Sequence, residues 1–226
     1  MTLTELARAT GPHGETVLRR RGDVVELVVN GVFAMDSAES STEAALATLA
    51  LDRLDGDALR VVVGGLGLGV TTATLLADPR VAAVDVVELD EALAGWVRDG
   101  LVPGAEGLLA DERVSTHLGD VADLLPGLAR ADAILLDVDN GPDFLVHGHN
   151  ERVYAPAFLT AAAGRLRDGG VLAVWCADPA PRLAGTLREA CGETEEVLLP
   201  VTRGTRSFDY AVYLSRATRR SRPASG

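Results

Sequence analysis

The stretch Val61-Val62-Val63-Gly64-Gly65-Leu66-Gly67-Leu68-Gly69 decides the fold. Consecutive β-branched residues read as a strand buried on both faces of a parallel sheet. The glycines that follow take positive φ and let another backbone or a ligand approach closely. Val70–Ala77 then reads as a helix, so residues 64–69 are expected to form a strand-to-helix turn. Outward from this turn, β-rich runs alternate with helical stretches. The strand runs are 60–65, 81–90, 113–120, 131–139, 169–178, 195–201 and 208–216. The helical ones are 70–77, 91–99, 121–129, 155–167 and 182–190. This alternation predicts an α/β domain with a doubly wound, Rossmann-like sheet. The last two strands are separated only by the run TRGTRS, so they are expected to close the sheet as an antiparallel pair.

Upstream lies a different unit. Residues 15–20 and 23–30 can pair as a hairpin across Arg21-Gly22, Asn30-Gly31 is a strong turn signal, and 42–54 reads as an amphipathic helix. The first fifteen residues are small and polar and are expected to be loose. The organisation expected is a small N-terminal β unit with its helix over 1–54, a catalytic domain over 55–216 and a flexible basic tail over 217–226.

Composition removes several enzyme classes. The basic residues are all Arg, with no Lys in the chain. A Schiff-base enzyme, a P-loop NTPase and a protein kinase each need a Lys, so none can be built here. The net charge of −12 argues against nucleic acid as a partner. Cys176 and Cys191 are too few for a disulfide framework. The N-terminus has no apolar core of signal-peptide length, and no window reaches the length of a membrane span. A cytoplasmic protein without membrane contact is expected, with a homodimer left open.

Ligands of open α/β sheets bind at the carboxyl ends of the strands. The dinucleotide fingerprint G-x-G-x-x-G fails, because Val70 or Thr72 stands where the third glycine belongs. Gly65, Gly67 and Gly69 instead fit G-x-G-x-G, the form used by S-adenosylmethionine (SAM) folds, with Gly64 ending the strand. Glu88 ends the next strand and is placed to accept ribose hydroxyl protons. Asp120 ends the third and can accept from an adenine amino group. Asp137 ends the fourth and faces the same cleft. Each acid has a plain alternative as a turn cap; four successive strand ends in glycine or acid argue for a nucleoside site.

These stretches together resemble the spermidine synthase (aminopropyltransferase) family, over about residues 23–214. The resemblance is carried by VVELVVNGVFAM, VVVGGLGLG, the VVELDE run, HLGDVADLLP and AILLDVDNGP. It implies a small N-terminal β unit before a SAM-methyltransferase-type fold, and a site for decarboxylated SAM and an acceptor amine. By position Glu88 would hold the ribose, Asp120 the adenine, and Asp137 would be the catalytic carboxylate. The sequence departs from the family in three places. The acid of the family's glycine loop is replaced by Gly67. Its D-x-x-D becomes Asp137-Val138-Asp139-Asn140. Its Gln and Tyr are not evident in residues 32–43.

A sulfonium nucleoside offers carbons for in-line displacement, driven mainly by positioning. The amine must lose a proton, which Asp137 is placed to take, with Asp139 as second candidate. The connection 139–154 is long enough for a lid, and supplies Asn140, Asp143, His147, His149 and Tyr154 as acceptor contacts. His147 and His149 alone do not make a metal site, and no metal is expected. Trp96 and Trp175 read as packing residues. The co-substrate is SAM or decarboxylated SAM. Thr71, Thr72 and the amides opening their helix are able to hold the carboxylate that only SAM carries. The alternatives are SAM-dependent methylation of a small molecule, and nucleoside binding without turnover.

Overall fold

The computed structural model describes residues 2–138, 140–142, 145, 148–203 and 205–217. Strands β1 (Leu3–Gly11), β2 (Gly14–Arg21), β3 (Val24–Val29) and β4 (Val32–Asp36) form a four-stranded antiparallel sheet in that order. The hairpin expected across Arg21-Gly22 is the β2–β3 pair. Asn30 at φ 51° and Gly31 at φ 77° turn the chain into β4, the positive-φ pair that a tight hairpin needs.

The expectation of a loose N-terminus is corrected: β1 pairs along β2 from Leu3↔Arg21 to Gly11↔Gly14. Its side chains are all exposed or half-buried, so no apolar alternation announces it. Its backbone finds hydrogen-bond partners on β2, and that ladder holds it.

The larger sheet contains β5 (Leu59–Gly64), β6 (Val81–Glu88), β7 (Val114–Leu118), β8 (Ala131–Leu136), β9 (Leu166–Cys176), β10 (Thr194–Arg203) and β11 (Arg206–Arg216). Its order is β10-β11-β9-β8-β5-β6-β7. The strands from β7 to β9 are parallel, and β11 and β10 close the sheet antiparallel, as expected. The helices are α1 (Ser41–Leu51), α2 (Val70–Ala77), α3 (Glu91–Arg98), α4 (Val121–Leu124), α5 (Pro156–Arg165) and α6 (Pro181–Cys191).

Successive strand residues sort onto opposite faces, as the pleat requires. Val61, Val63 and Leu135 join a core with Leu46 of α1, Leu75 of α2 and Leu93 of α3. Val62, Ile134 and Leu136 join the other core with Leu159 of α5 and Leu187 of α6. Helices therefore cover both faces, which defines the doubly wound class. Leu27 and Val29 of the small sheet belong to the first core, as does the partly buried Trp96.

The helix expected over 121–129 is one α turn followed by a 3₁₀ turn at Leu125–Gly127. Pro126 has no N–H to continue the α ladder. The helix expected over 155–167 stops at Arg165, and β9 starts at Leu166, earlier than its apolar run. No helix among the described residues is long and apolar enough to cross a membrane.

Candidate active site

Strand order reverses at β5, which pairs with β6 on one side and β8 on the other. A cleft of about 750 Å³ opens there, walled by the strand ends and roofed by the small sheet. This volume falls in the usual range for small-molecule sites.

The glycine turn follows β5 as expected. Gly65 sits at φ +93°, and a Cβ there would lie 2.0 Å from the Asp137 carbonyl oxygen. Only glycine lets the ends of β5 and β8 touch in this way. At Gly67, φ is +52° and a Cβ would lie 2.7 Å from Met35 Sδ on β4. Both residues line the cleft. Gly64 packs on Val121 and Val138, and Gly69 opens α2 against Leu108.

Glu88 lines the cleft and is 7% exposed. Its Oε2 accepts the Leu66 N–H at 2.8 Å, and its Oε1 accepts the Asp90 N–H at 2.7 Å. Burial raises its carboxyl above the usual carboxylate range, and these backbone bonds pull the other way. Glu88 thus fixes the glycine turn to the start of α3. Asp90 caps α3 and also accepts the Thr16 hydroxyl of β2, fastening the small sheet to the cleft's rim.

Asp120 reaches the cleft while capping α4, accepting the Ala122 N–H at 2.7 Å. Its other oxygen lies 3.3 Å from Arg152 Nη1. The cap foreseen for such an acid is therefore present, together with exposure to the cleft.

Asp137 lines the cleft just past β8, and its Oδ2 accepts the Thr71 hydroxyl at 2.8 Å. Burial pushes its carboxyl up to about 6, and nearby Glu88 adds to the rise. Asn140 also lines the cleft. Asp139, Asp143 and His147 lie outside the described residues, as does the His149 side chain. Tyr154 is buried in the second core and is absent from the cleft's described lining.

The sequence reading missed several residues. Glu43 of α1 is 6% exposed and lines the cleft. Burial, then the charge of Asp137, pushes its carboxyl up to about 7. Ser40-Ser41-Thr42-Glu43 has the form of a capping box, which would disguise its acid as a helix-start signal. Yet Ser40 makes no side-chain cap bond. Asn150 is buried at the cleft's edge and donates to the Val138 carbonyl at 3.1 Å. Trp175 belongs to the first core, as its packing reading had it, and also lines the cleft. Its Nε1–H has no hydrogen-bond partner among the described residues. Its ring meets Tyr210 edge-on, with centroids 5.0 Å apart. Behind this end, Arg203 pairs with Asp36 at 2.7 Å and lies over the Phe33 ring. Among the described residues, no group of three or more His, Cys, Asp or Glu side chains is placed to hold a metal ion.

The fold and this cleft define a doubly wound α/β chain with an acid-lined, ligand-sized site at its switch point. The comparisons sharpen that class. No protein-family model matches the chain. It is 30% identical over 188 residues to the polyamine aminopropyltransferase of Mycobacterium tuberculosis, covering 78% of this chain and 34% of that protein. The Mycobacterium bovis protein of the same name matches equally. The chain thus spans about a third of the length of the curated relatives it matches. Among solved structures, a spermidine synthase in complex with the transition state analogue AdoDATO superimposes with a TM-score of 0.79 at 16% identity, covering 94% of this chain and 73% of that one. Spermidine synthase from Thermotoga maritima gives 0.76 at 14% identity, over 94% and 72% of the two chains. The chain is thus similar in sequence to polyamine aminopropyltransferase over those 188 residues, and in fold to spermidine synthase over nearly its whole length.

Proposed function

We propose that this chain transfers an aminopropyl group from decarboxylated SAM to an amine. The observation that carries the reading is Asp137: a half-buried carboxylate, held by Thr71, beside the glycine turn of a nucleoside-sized cleft. The names of the relatives support the same chemistry.

In this reading the sulfonium nucleoside is a substrate lying along the strand ends, within a unit spanning 55–216. Gly65 and Gly67 give it close backbone approach. Glu88 accepts from the ribose hydroxyls with the lone pairs that its backbone bonds leave over. Asp120 accepts from the adenine amino group in the same way. Asp137 then lies beside the reactive carbon, where it orients the incoming amine and takes up its proton, a role worth about 10²–10⁴ in rate. Asn140 lines the cleft and is the described candidate for an acceptor contact; Asp139, Asp143, His147 and His149 are proposed as acceptor contacts from their place in the sequence alone.

One observation favours SAM methylation as a second reading. The family's glycine-loop acid is Gly67 here, and Met35 Sδ occupies the space its side chain would enter. Calorimetric titration with decarboxylated SAM, SAM and methylthioadenosine separates the readings, followed by product analysis with a panel of amines. Preference for decarboxylated SAM and an aminopropylated product supports the proposal. Preference for SAM with a methylated product replaces it, and no binding of any of the three refutes both.

A further inference from the structure

We infer that Glu43 is the second carboxylate of the transfer site, sharing with Asp137 the proton that the acceptor amine gives up. This rests on the aminopropyl-transfer reading above and adds to it a residue from the N-terminal helix.

Glu43, on α1, and Asp137, at the end of β8, line the same cleft. Thr71 of α2 joins them: its Oγ1 lies 2.8 Å from Asp137 Oδ2 and 3.3 Å from the Glu43 carbonyl oxygen. The Glu43 Oε2 accepts the Thr42 hydroxyl at 2.7 Å. Among the described residues no arginine or histidine forms an ion pair with Glu43. The charged and titratable groups facing it are Asp137, Arg203 of β10 and Tyr210 of β11, with Glu88 beyond Asp137. Arg203 is engaged by Asp36.

A buried carboxylate without its own cation is costly unless it is protonated or meets a cationic ligand. Trp175 is an independent sign of a ligand at this cleft. Its buried Nε1–H is a donor with no partner among the described residues.

The negative charge of Asp137 disfavours a second charge on Glu43, so the two acids of the cleft favour sharing a single negative charge. In the transfer the amine nitrogen attacks the propyl carbon bonded to sulfur. The N–C bond forms and the C–S bond breaks, its electron pair going to sulfur to leave neutral methylthioadenosine. The nitrogen's lone pair is free for this attack because the bound ammonium has first given one proton to the Glu43–Asp137 pair, which returns it to water.

The test needs no turnover. The protein is saturated with methylthioadenosine and titrated with 1,4-diaminobutane by calorimetry, in buffers of different ionisation heat, between about pH 5.5 and 8. In the parent, the arriving cation should expel up to about one proton near neutral pH. Glu43→Gln should cut that release to less than about a third and weaken amine binding about tenfold, with methylthioadenosine affinity held within about twofold. Parent-like proton release and amine affinity in Glu43→Gln overturn the inference alone, as does failure of the loaded parent to bind the amine. Failure of the parent to bind methylthioadenosine overturns the nucleoside reading and this inference with it. Should Glu43→Gln lose the nucleoside through misfolding, Thr71→Val replaces it. That variant should shift the pH of proton release, and an unchanged profile overturns the inference.

Discussion

Gly65→Ala should be among the most damaging single-methyl additions to this chain. The added Cβ would lie 2.0 Å from the Asp137 carbonyl oxygen, a backbone atom with little room to retreat. Asp137 is tied to β5, since its N–H donates to the Gly64 carbonyl at 2.8 Å, and Gly65 donates to the Val87 carbonyl at the same distance. Two terms add. An L-residue held at φ +93° costs about 1–2 kcal/mol. Overpacking against a fixed backbone costs about 1–3 kcal/mol more. The sum is about 2–5 kcal/mol, a large share of the roughly 5–15 kcal/mol of a typical domain. Any relaxation must separate the glycine turn from Asp137, so methylthioadenosine affinity should fall as well. The control is Gly185→Ala in the middle of α6, where a Cβ meets nothing within 4 Å. That change should stabilise by about 0.5–1 kcal/mol through helix propensity. Urea unfolding of the two variants beside the parent gives both signs in one experiment. A Gly65→Ala midpoint equal to the parent's, with nucleoside affinity intact, would refute the packing argument.

Three further outcomes are expected. Glu43 has a folded-state pKa raised from 4.5 to about 7, so the native protein binds more protons than the unfolded chain between those values, and this group's stabilisation is lost as pH rises through about 7. Glu43→Gln escapes that loss, so its stability advantage in urea should grow from near zero at about pH 4 to at most about 3 kcal/mol at about pH 8, and a pH-independent difference would count against the burial. Glu88→Ala should weaken methylthioadenosine binding by about 1.5–3 kcal/mol, through lost ribose contacts and release of the Leu66 and Asp90 amides; unchanged affinity by calorimetry rejects the assignment. Asp137→Asn should bind methylthioadenosine within a few-fold of the parent but lose about 10²–10⁴ of its transfer rate with an amine acceptor, and parent-like turnover would leave Asp137 a structural acid.

Several features were legible because they are local. The β-branched run ahead of Gly64 specified a buried strand, and the glycines specified its turn. The continuous apolar run from Val61 specified that both faces of that strand are buried, Val61 and Val63 in one core and Val62 in the other. Glu88, Asp120 and Asp137 were found because topology puts the ends of parallel strands on one edge, so three strand-terminal acids share a cleft wherever their strands are correctly recognised. Even there the reading was partial. Only the structure revealed that Glu88 braces the glycine turn and that Asp120 is also engaged with Arg152.

By itself the sequence determined the order of strands and helices from β5 onward, the glycine turn and the acids along one sheet edge, since each follows from spacing within a few residues. The tertiary structure decided the rest. β1 is written in no apolar pattern and exists because β2 offers it a ladder. Met35 fills the space at Gly67 because the small sheet folds over the strand ends. Thr71 reaches both Asp137 and the Glu43 carbonyl because α1 packs against α2 and the sheet's first core. Their meeting depends on how whole layers stack, and no local period encodes contacts between residues so far apart along the chain.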